Sequence, residues 1–326
     1  MHKPMRRTLL MGAAAMTFAA GLTTAASAQD FPSKRIDMIV GYNAGGFTDS
    51  ASRVVAEQMS KELGQTVVVE NRGGASSTIA ALAVSKADAD GYTILASTAS
   101  LAVNEKLYKS LEYSLLDDLV PVAVVLRAPE AFMVPKDGPD SLEAFLDKAK
   151  ANRLTYAIPG NGTTSGFTYF SFFKDVVNVE IDAVPFSGGG PATQAAVGGQ
   201  TDGYAASASG GVVGQINSGN LKCMAIAAPE RDARLPDCPT LEELGHGPHY
   251  GFSWVAFWVP KGTPDDVIAK LNSAINAVAA IPEEAAKLEA GGQVLTMTPA
   301  EADEWVRNEV KVWGERVEAA GVAGSI

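Results

Sequence analysis

The chain of 326 residues is 47% hydrophobic and 19% charged, with a formal net charge of −11. That acidic balance argues against a nucleic-acid partner, because little is present to release counterions from phosphates. A small anion held by locally aimed N–H groups remains compatible. With two cysteines and three histidines, the common zinc sites and histidine-dependent triads lack the ligands or the base they need, so neither metal nor cofactor is expected.

In chain order, Lys3, Arg6 and Arg7 precede an apolar run from Leu9 to Leu22, and Ala26-Ser27-Ala28 closes it. A cationic start, an apolar middle and an A-x-A end mark a secretory signal cleaved after Ala28, so residues 1–28 are set aside from the fold. Arg6-Arg7 is compatible with the twin-arginine route or the general one. The leader holds three cations and no acid, so its removal leaves 298 residues at a net charge of −14. No later apolar run approaches the roughly 20 residues of a membrane helix. A chain of this length usually divides into two domains.

Strand-like and helical patterns then alternate. Ile36 to Val40 reads as a strand. Apolar residues at Ala51, Val54, Val55, Met59 and Leu63 follow a helical period from Thr48, with Gly64 as its stop. Val67 to Val69, a helix from Thr78 to Lys86 and Tyr92 to Ala96 complete a first strand–helix–strand unit, which predicts parallel strands covered by helices. Val120 to Leu126 and Ala131 to Val134 read as two runs separated by Arg127 to Glu130. A helix capped by Ser141 runs to Ala151, and Leu154 to Ile158 is a strand, followed by helix through Val177. Ile181 to Phe186, Gly203 to Ala206, Leu221 to Ala227 and Phe252 to Val259 continue the strands. Helices at Pro264 to Ala280, Pro282 to Ala290 and Pro299 to Ala320 end the chain.

The last helices need a sheet to cover, and returning them to the first unit is the economical solution. This gives a two-lobed α/β architecture: residues 29–127 plus 253–326 form lobe 1, and residues 128–252 form lobe 2. Two crossings then act as a hinge beside a cleft.

Two loops carry most of the chemistry. Gly41 to Ser50 and Pro159 to Gly166 each lead from a strand into a helix and are rich in Gly, Ser and Thr. Such loops place N–H groups and a positive helix end at the carboxyl edge of a sheet. Phe47 stands where a Walker A loop needs its lysine, which disfavours a nucleoside triphosphate. A G-x-G-x-x-G turn after the first strand and a G-x-S-x-G elbow are both absent from the sequence. His246 and His249 lie in the turn-rich Gly245 to Tyr250 and read as solvated. For Cys223 and Cys238 in an exported chain, a disulfide and two buried thiols are both open.

The strings Phe31 to Ile36, Gly45-Gly46-Phe47-Thr48-Asp49, Val69 to Arg72, Asp90 to Thr93, Val184 to Gly189, Gly198 to Asp202 and Pro239 to Glu243 carry a resemblance over the whole mature chain. In this order they resemble the Bug-type extracytoplasmic solute receptors of tripartite tricarboxylate transporters. The resemblance implies a periplasmic binding protein fold, type II-like with two hinge crossovers, each lobe a mixed or parallel sheet flanked by helices. It implies that the two loops close as pincers on a carboxylate. That role falls on Gly45, Gly46, Phe47, Thr48 and Asp49, and on Asn161, Gly162, Thr163, Thr164 and Ser165. Thr98, Ser100 and Ser187 match family positions bordering the pocket, and Tyr42, Asn43 and Tyr204 join them as candidate contacts.

Two departures stand out. Gly166-Phe167 replaces a common His-Leu pair, and Phe186-Ser187 replaces a common Tyr-Lys pair. The site thereby loses cations, and Phe47, Phe167, Phe170, Phe186 and Tyr204 enlarge its apolar share. Phe170, Phe172 and Phe173, at helical spacing, read better as core. The expected function is a monomeric, non-catalytic periplasmic receptor that captures a dicarboxylate or aromatic acid and delivers it to membrane permease subunits. The rivals are a ligand-sensing subunit for a signalling partner and an exported hydrolase using Asp49 or a loop serine.

Overall fold

Strand β1 (Ile36–Val40), helix α1 (Phe47–Leu63), β2 (Val67–Asn71), α2 (Thr78–Ser85), β3 (Thr93–Thr98) and α3 (Ser100–Leu107) come first in the computed structural model. The model describes residues 31–326; the signal peptide read at residues 1–28 lies outside them. Short α4 (Leu115–Asp118) leads into β4 (Leu119–Pro135), followed by α5 (Leu142–Ala151), β5 (Leu154–Ile158), α6 (Thr164–Ser171), β6 (Ile181–Pro185), α7 (Gly189–Val197), β7 (Gly203–Ser207), α8 (Gly210–Asn217) and β8 (Leu221–Ile226). The chain closes with β9 (Phe252–Pro260), α9 (Asp265–Ala280), α10 (Pro282–Glu289), β10 (Gln293–Val294) and α11 (Pro299–Ala319). Among the described residues, no helix is long and apolar enough to cross a membrane.

The strand order is β2-β1-β3-β9-β4-β7-β5-β6, with β8 and β10 also on β4. Strands β1, β2 and β3 are parallel, as are β5, β6 and β7, while β9 runs antiparallel to both β3 and β4. The sheet is therefore mixed, with two parallel groups joined through β9 and β4. β9 reads FSWVAFWVP and is buried on both faces along nearly its whole length, the pattern of a strand covered on both sides. Trp254 and Trp258 project from it into a core with Ile39, Leu95, Leu119 and Val306. Each such side chain contributes roughly 1.5–3 kcal/mol through removal from water.

β4 corrects the reading of two separate runs. Its 17 residues reach roughly 55 Å at about 3.3 Å per residue. Leu119 to Pro129 pair with β9, whereas Glu130 to Met133 pair with β7 and Ala131 to Pro135 with β8. Arg127 to Glu130 looked like a break because Pro129 lacks an N–H and two neighbours are charged. Instead the Pro129 carbonyl accepts from Ala208 N–H at 2.8 Å, and Arg127 lays its guanidinium 3.7 Å from the Phe252 ring centroid. Around β5 lies a second core, in which Phe132, Phe145, Tyr156, Tyr169, Phe172 and Phe173 pack together.

Several local readings change. Helices α3, α7 and α8 were not foreseen; Gly-Gly-Pro-Ala-Thr-Gln-Ala-Ala-Val in α7 offers small residues instead of an apolar stripe. The two histidines are half-buried, not solvated: His246 and His249 sit 5.3 and 5.8 Å from the Phe172 ring. Phe170 is exposed at 36%, beneath Lys174, and so is not core.

Cys223 and Cys238 form a disulfide with Cα atoms 5.5 Å apart and 15 residues of separation. Closing a loop of that length is worth about 3 kcal/mol in the chain-entropy model. The double variant Cys223→Ser with Cys238→Ser should lose stability of that order in urea unfolding, and an unchanged midpoint would refute it.

Candidate functional site

The first loop is shaped by a carboxylate. Asp49, in the first turn of α1, accepts from Gly45 N–H at 2.9 Å, from Arg53 Nε at 3.1 Å and from Asn71 Nδ2 at 2.9 Å. Gly45 holds φ at +84°, a region that glycine enters without the Cβ penalty. The turn so formed aims Gly46 and Phe47 at a cavity, and α1 starts there with no side-chain cap. The amides of its first turn have no partner within the helix.

The second loop is organised differently. Thr163 caps α6 by accepting from Gly166 N–H at 3.3 Å, and donates its own hydroxyl proton to Gly160 O at 2.7 Å. This leaves the Thr164 and Ser165 amides at the start of α6 without a side-chain cap. Thr163, Thr164 and Ser165 are 2–5% exposed and line the same cavity as Gly46, Phe47 and Thr48.

Three more helices begin at this point. The end of β3 brings Thr98 and the start of α3 brings Ser100, with Tyr42 Oη 3.0 Å from Thr98 Oγ1. α7 contributes Gly189 and Gly190, and α8 contributes Gly211 and Val212; neither helix has a side-chain cap. All five helices follow the carboxyl ends of strands β1, β3, β5, β6 and β7, where α/β sheets place their ligands. Each helix start carries the equivalent of roughly half a positive charge. The cavity of about 160 Å³ has no Lys, Arg, His, Asp or Glu among its lining residues. Its positive potential therefore comes from backbone dipoles, and its size suits a small organic anion.

Of the expected contacts, Tyr42, Gly45, Gly46, Phe47, Thr48, Thr98, Ser100, Thr163, Thr164, Ser165 and Tyr204 line this cavity. Five do not. Asp49 is engaged in shaping the first loop. Asn43 donates from Nδ2 to Ser187 Oγ at 2.7 Å, and Gly162 donates its N–H to Ser76 Oγ at 2.9 Å. The first pair ties the first loop to the turn before α7, and the second ties the second loop to the turn before α2. Asn161 and Ser187 border a neighbouring hollow, together with Ser76 and Phe186. Phe167 packs edge-on against Trp313, 6.0 Å away, so neither it, Phe170 nor Phe186 adds to the cavity's apolar wall.

Sequence reasoning missed the α7 and α8 starts, although Ser187-Gly188-Gly189-Gly190 and Ser209-Gly210-Gly211 each follow a strand and were legible as further Gly-rich turns. It also missed Ala75, Ser76 and Ser77, three consecutive non-glycine residues at positive φ of 46°, 50° and 76°. That strained turn carries Ser76 to Gly162, and strain of this kind is retained where the surroundings over-determine it.

Burial alone would push the Asp49 carboxyl up, but the hydrogen bonds from Arg53, Gly45 and Asn71 outweigh it and hold the group below its ordinary value. A depressed carboxylate stabilises the fold above its unfolded value near 4, and the contribution is lost as pH falls through the lower folded value. Asp49→Asn should thus melt below the wild type at pH 7, with the gap narrowing below about pH 4. A gap independent of pH would contradict this assignment.

A family model described as Tripartite tricarboxylate transporter family receptor matches residues 51–322. Protein BugT of Bordetella pertussis is 34% identical over 311 residues, which is 93% of this chain and 94% of that protein. Among solved structures, the periplasmic binding protein BugD superposes with a TM-score of 0.85 at 32% identity, over 90% of this chain and 99% of that one. MatC from Rhodopseudomonas palustris with bound malate superposes at 0.83 and 30% identity, over 88% of this chain and 100% of that one.

Proposed function

The chain belongs to the tripartite tricarboxylate transporter receptor family, and on that premise we propose that it captures a small organic carboxylate in the periplasm and hands it to membrane permease subunits. The observation that carries this reading is the convergence of five helix starts on one cavity whose lining has no charged side chain. Hydrogen bonds to a charged partner contribute about 1.5–3 kcal/mol each, so several amides suffice to hold a carboxylate without an arginine. Gly46, Phe47 and Thr48 meet it from one side, Thr164, Ser165, Gly189 and Gly190 from the other.

In this reading, residues 29–127 with 253–326 form one lobe and residues 128–252 the other. The lobes hinge where β4 and β9 pass between the two parallel groups. An open form admits the ligand; closing brings the second set of amides onto it and excludes water. The site binds without reacting: Asp49 is occupied in holding the first loop, and no His, Lys, Asp or Glu is among the residues lining the cavity. The malate bound by MatC supports a small carboxylate, and an aromatic acid is also compatible with Phe47 and Tyr204 in the wall.

Thermal melting of the mature chain against a panel of mono-, di- and aromatic carboxylates tests the reading. A ligand present at 100 times its Kd adds about 2.7 kcal/mol of stability, a clear rise in Tm. No rise with any acid in the panel would refute the proposal.

A further inference from the structure

Glu130 is fully buried on β4, where that strand leaves β9 and joins β7 and β8. Its Oε1 accepts from Thr164 Oγ1 at 2.5 Å, and its Oε2 accepts from Ser207 Oγ at 3.1 Å. Both of those hydroxyls belong to residues lining the cavity, whereas Glu130 lies behind them. Among the described residues, no salt bridge includes Glu130; Arg127, three residues along the strand, is turned onto the Phe252 ring.

A carboxylate can only accept, so an ionised Glu130 draws the protons of Thr164 and Ser207 away from the cavity. Their oxygens then present lone pairs to whatever lies in front of them. The helix starts donate, and this patch accepts. A ligand with carboxylates at both ends would oppose lone pairs here, backed by a buried negative charge.

Resting on the receptor reading above, we propose that Glu130 acts as a positioning residue for specificity: through Thr164 and Ser207 it selects acids whose second polar group donates hydrogen bonds, a hydroxyl or an ammonium, over dicarboxylates of equal length.

Burial raises the Glu130 carboxyl to about 7, against the lowering effect of its two hydroxyl partners. The other titratable groups that face it are Tyr169 on α6, Tyr42 on the first loop and Tyr204 on β7. All three phenols are held above their ordinary value, chiefly by burial, so they stay neutral near pH 7. Protonating Glu130 frees one hydroxyl proton to face the cavity. Donor-bearing acids should therefore bind more tightly as pH rises from 6 to 8, and dicarboxylates less tightly, by up to tenfold per unit.

Calorimetric titration with matched pairs tests this: 4-hydroxybutanoate against succinate, and 6-hydroxyhexanoate and 6-aminohexanoate against adipate. The wild type should favour the donor-bearing member at least tenfold at pH 8. In Glu130→Gln the amide donates to one of the two hydroxyls and turns its proton into the cavity, so the preference should shrink tenfold or reverse and lose its pH dependence. If that variant fails to fold, the wild-type pH series alone decides. Equal weakening of both members, or a preference insensitive to pH, would assign Glu130 a purely structural role. Tighter dicarboxylate binding unaffected by the variant would overturn the specificity while leaving the receptor reading intact. Binding of none of these acids, nor of any other carboxylate in the melting panel, would remove both.

Discussion

Gly190→Val should lower carboxylate affinity at least a hundredfold. A Cβ at Gly190 would lie 2.6 Å from the Ala44 carbonyl oxygen, and one at Gly46 only 3.4 Å from Gly189 N. Real Cβ atoms do not approach a carbonyl that closely, and the obstacle is backbone, so no rotamer change relieves it. The first loop and the start of α7 meet across this gap, and both line the cavity. Valine therefore acts as a wedge between the two amide sets. Gly190 lacks a positive φ, but Pro191 follows it within α7 and disfavours helical backbone at a β-branched residue, so some stability is lost along with affinity. Gly214→Ala provides the comparison: nothing lies within 4 Å of its Cβ position, and exchanging a helical glycine for alanine stabilises by roughly 0.5–1 kcal/mol. Titration of both variants with the acid that gives the largest thermal shift decides the matter. Unchanged affinity in Gly190→Val would mean that the two loops do not close on the ligand.

The second large effect concerns stability. Phe132→Ala should cost about 3–5 kcal/mol, the range for aromatic truncation in a core. Phe132 is fully buried; its ring lies 4.9 Å from Phe145, 5.1 Å from Phe173 and 5.3 Å from Tyr169. Its Cζ is 2.6 Å from where Gly203 would carry a Cβ, so the ring sits directly on the β7 backbone, and its removal opens a void among those rings. Urea unfolding measures the loss. A cost below 1 kcal/mol would show that the group of strands around β5 is held by contacts elsewhere. Phe132 also stands two residues from Glu130 on the same strand, so the truncated protein, where still folded, should bind less tightly through the shared strand geometry.

The parts of the site that were legible share a local signature. Gly41 to Ser50 and Pro159 to Gly166 place Gly, Ser and Thr between a β-branched run and an amphipathic stretch, a pattern that chain-local sterics and capping produce without help from distant residues. The starts of α7 and α8 are built from the same residue types. Their helices, however, are short and rich in Gly and Ala, so periodicity offered no stripe to announce them. Asp49 was legible as an acid at a helix start. That it would serve the loop and not the ligand depended on Asn71, 22 residues away.

Glu130 is the clearest case of a residue that local reading misplaces. With Arg127 and Pro129 it looked like a polar interruption between two strands. In the fold it is a fully buried residue within a single 17-residue strand, and its partners lie 34 and 77 residues further on. The alternation of strands and helices, the two leading glycine turns and the scarcity of cations were readable along the chain, because each follows from backbone preference and composition over a few neighbouring residues. That five helix starts meet, that β4 runs unbroken and that a lone acid stands behind two hydroxyls emerges from the folded arrangement, because strand pairing and burial join residues that the chain itself keeps far apart.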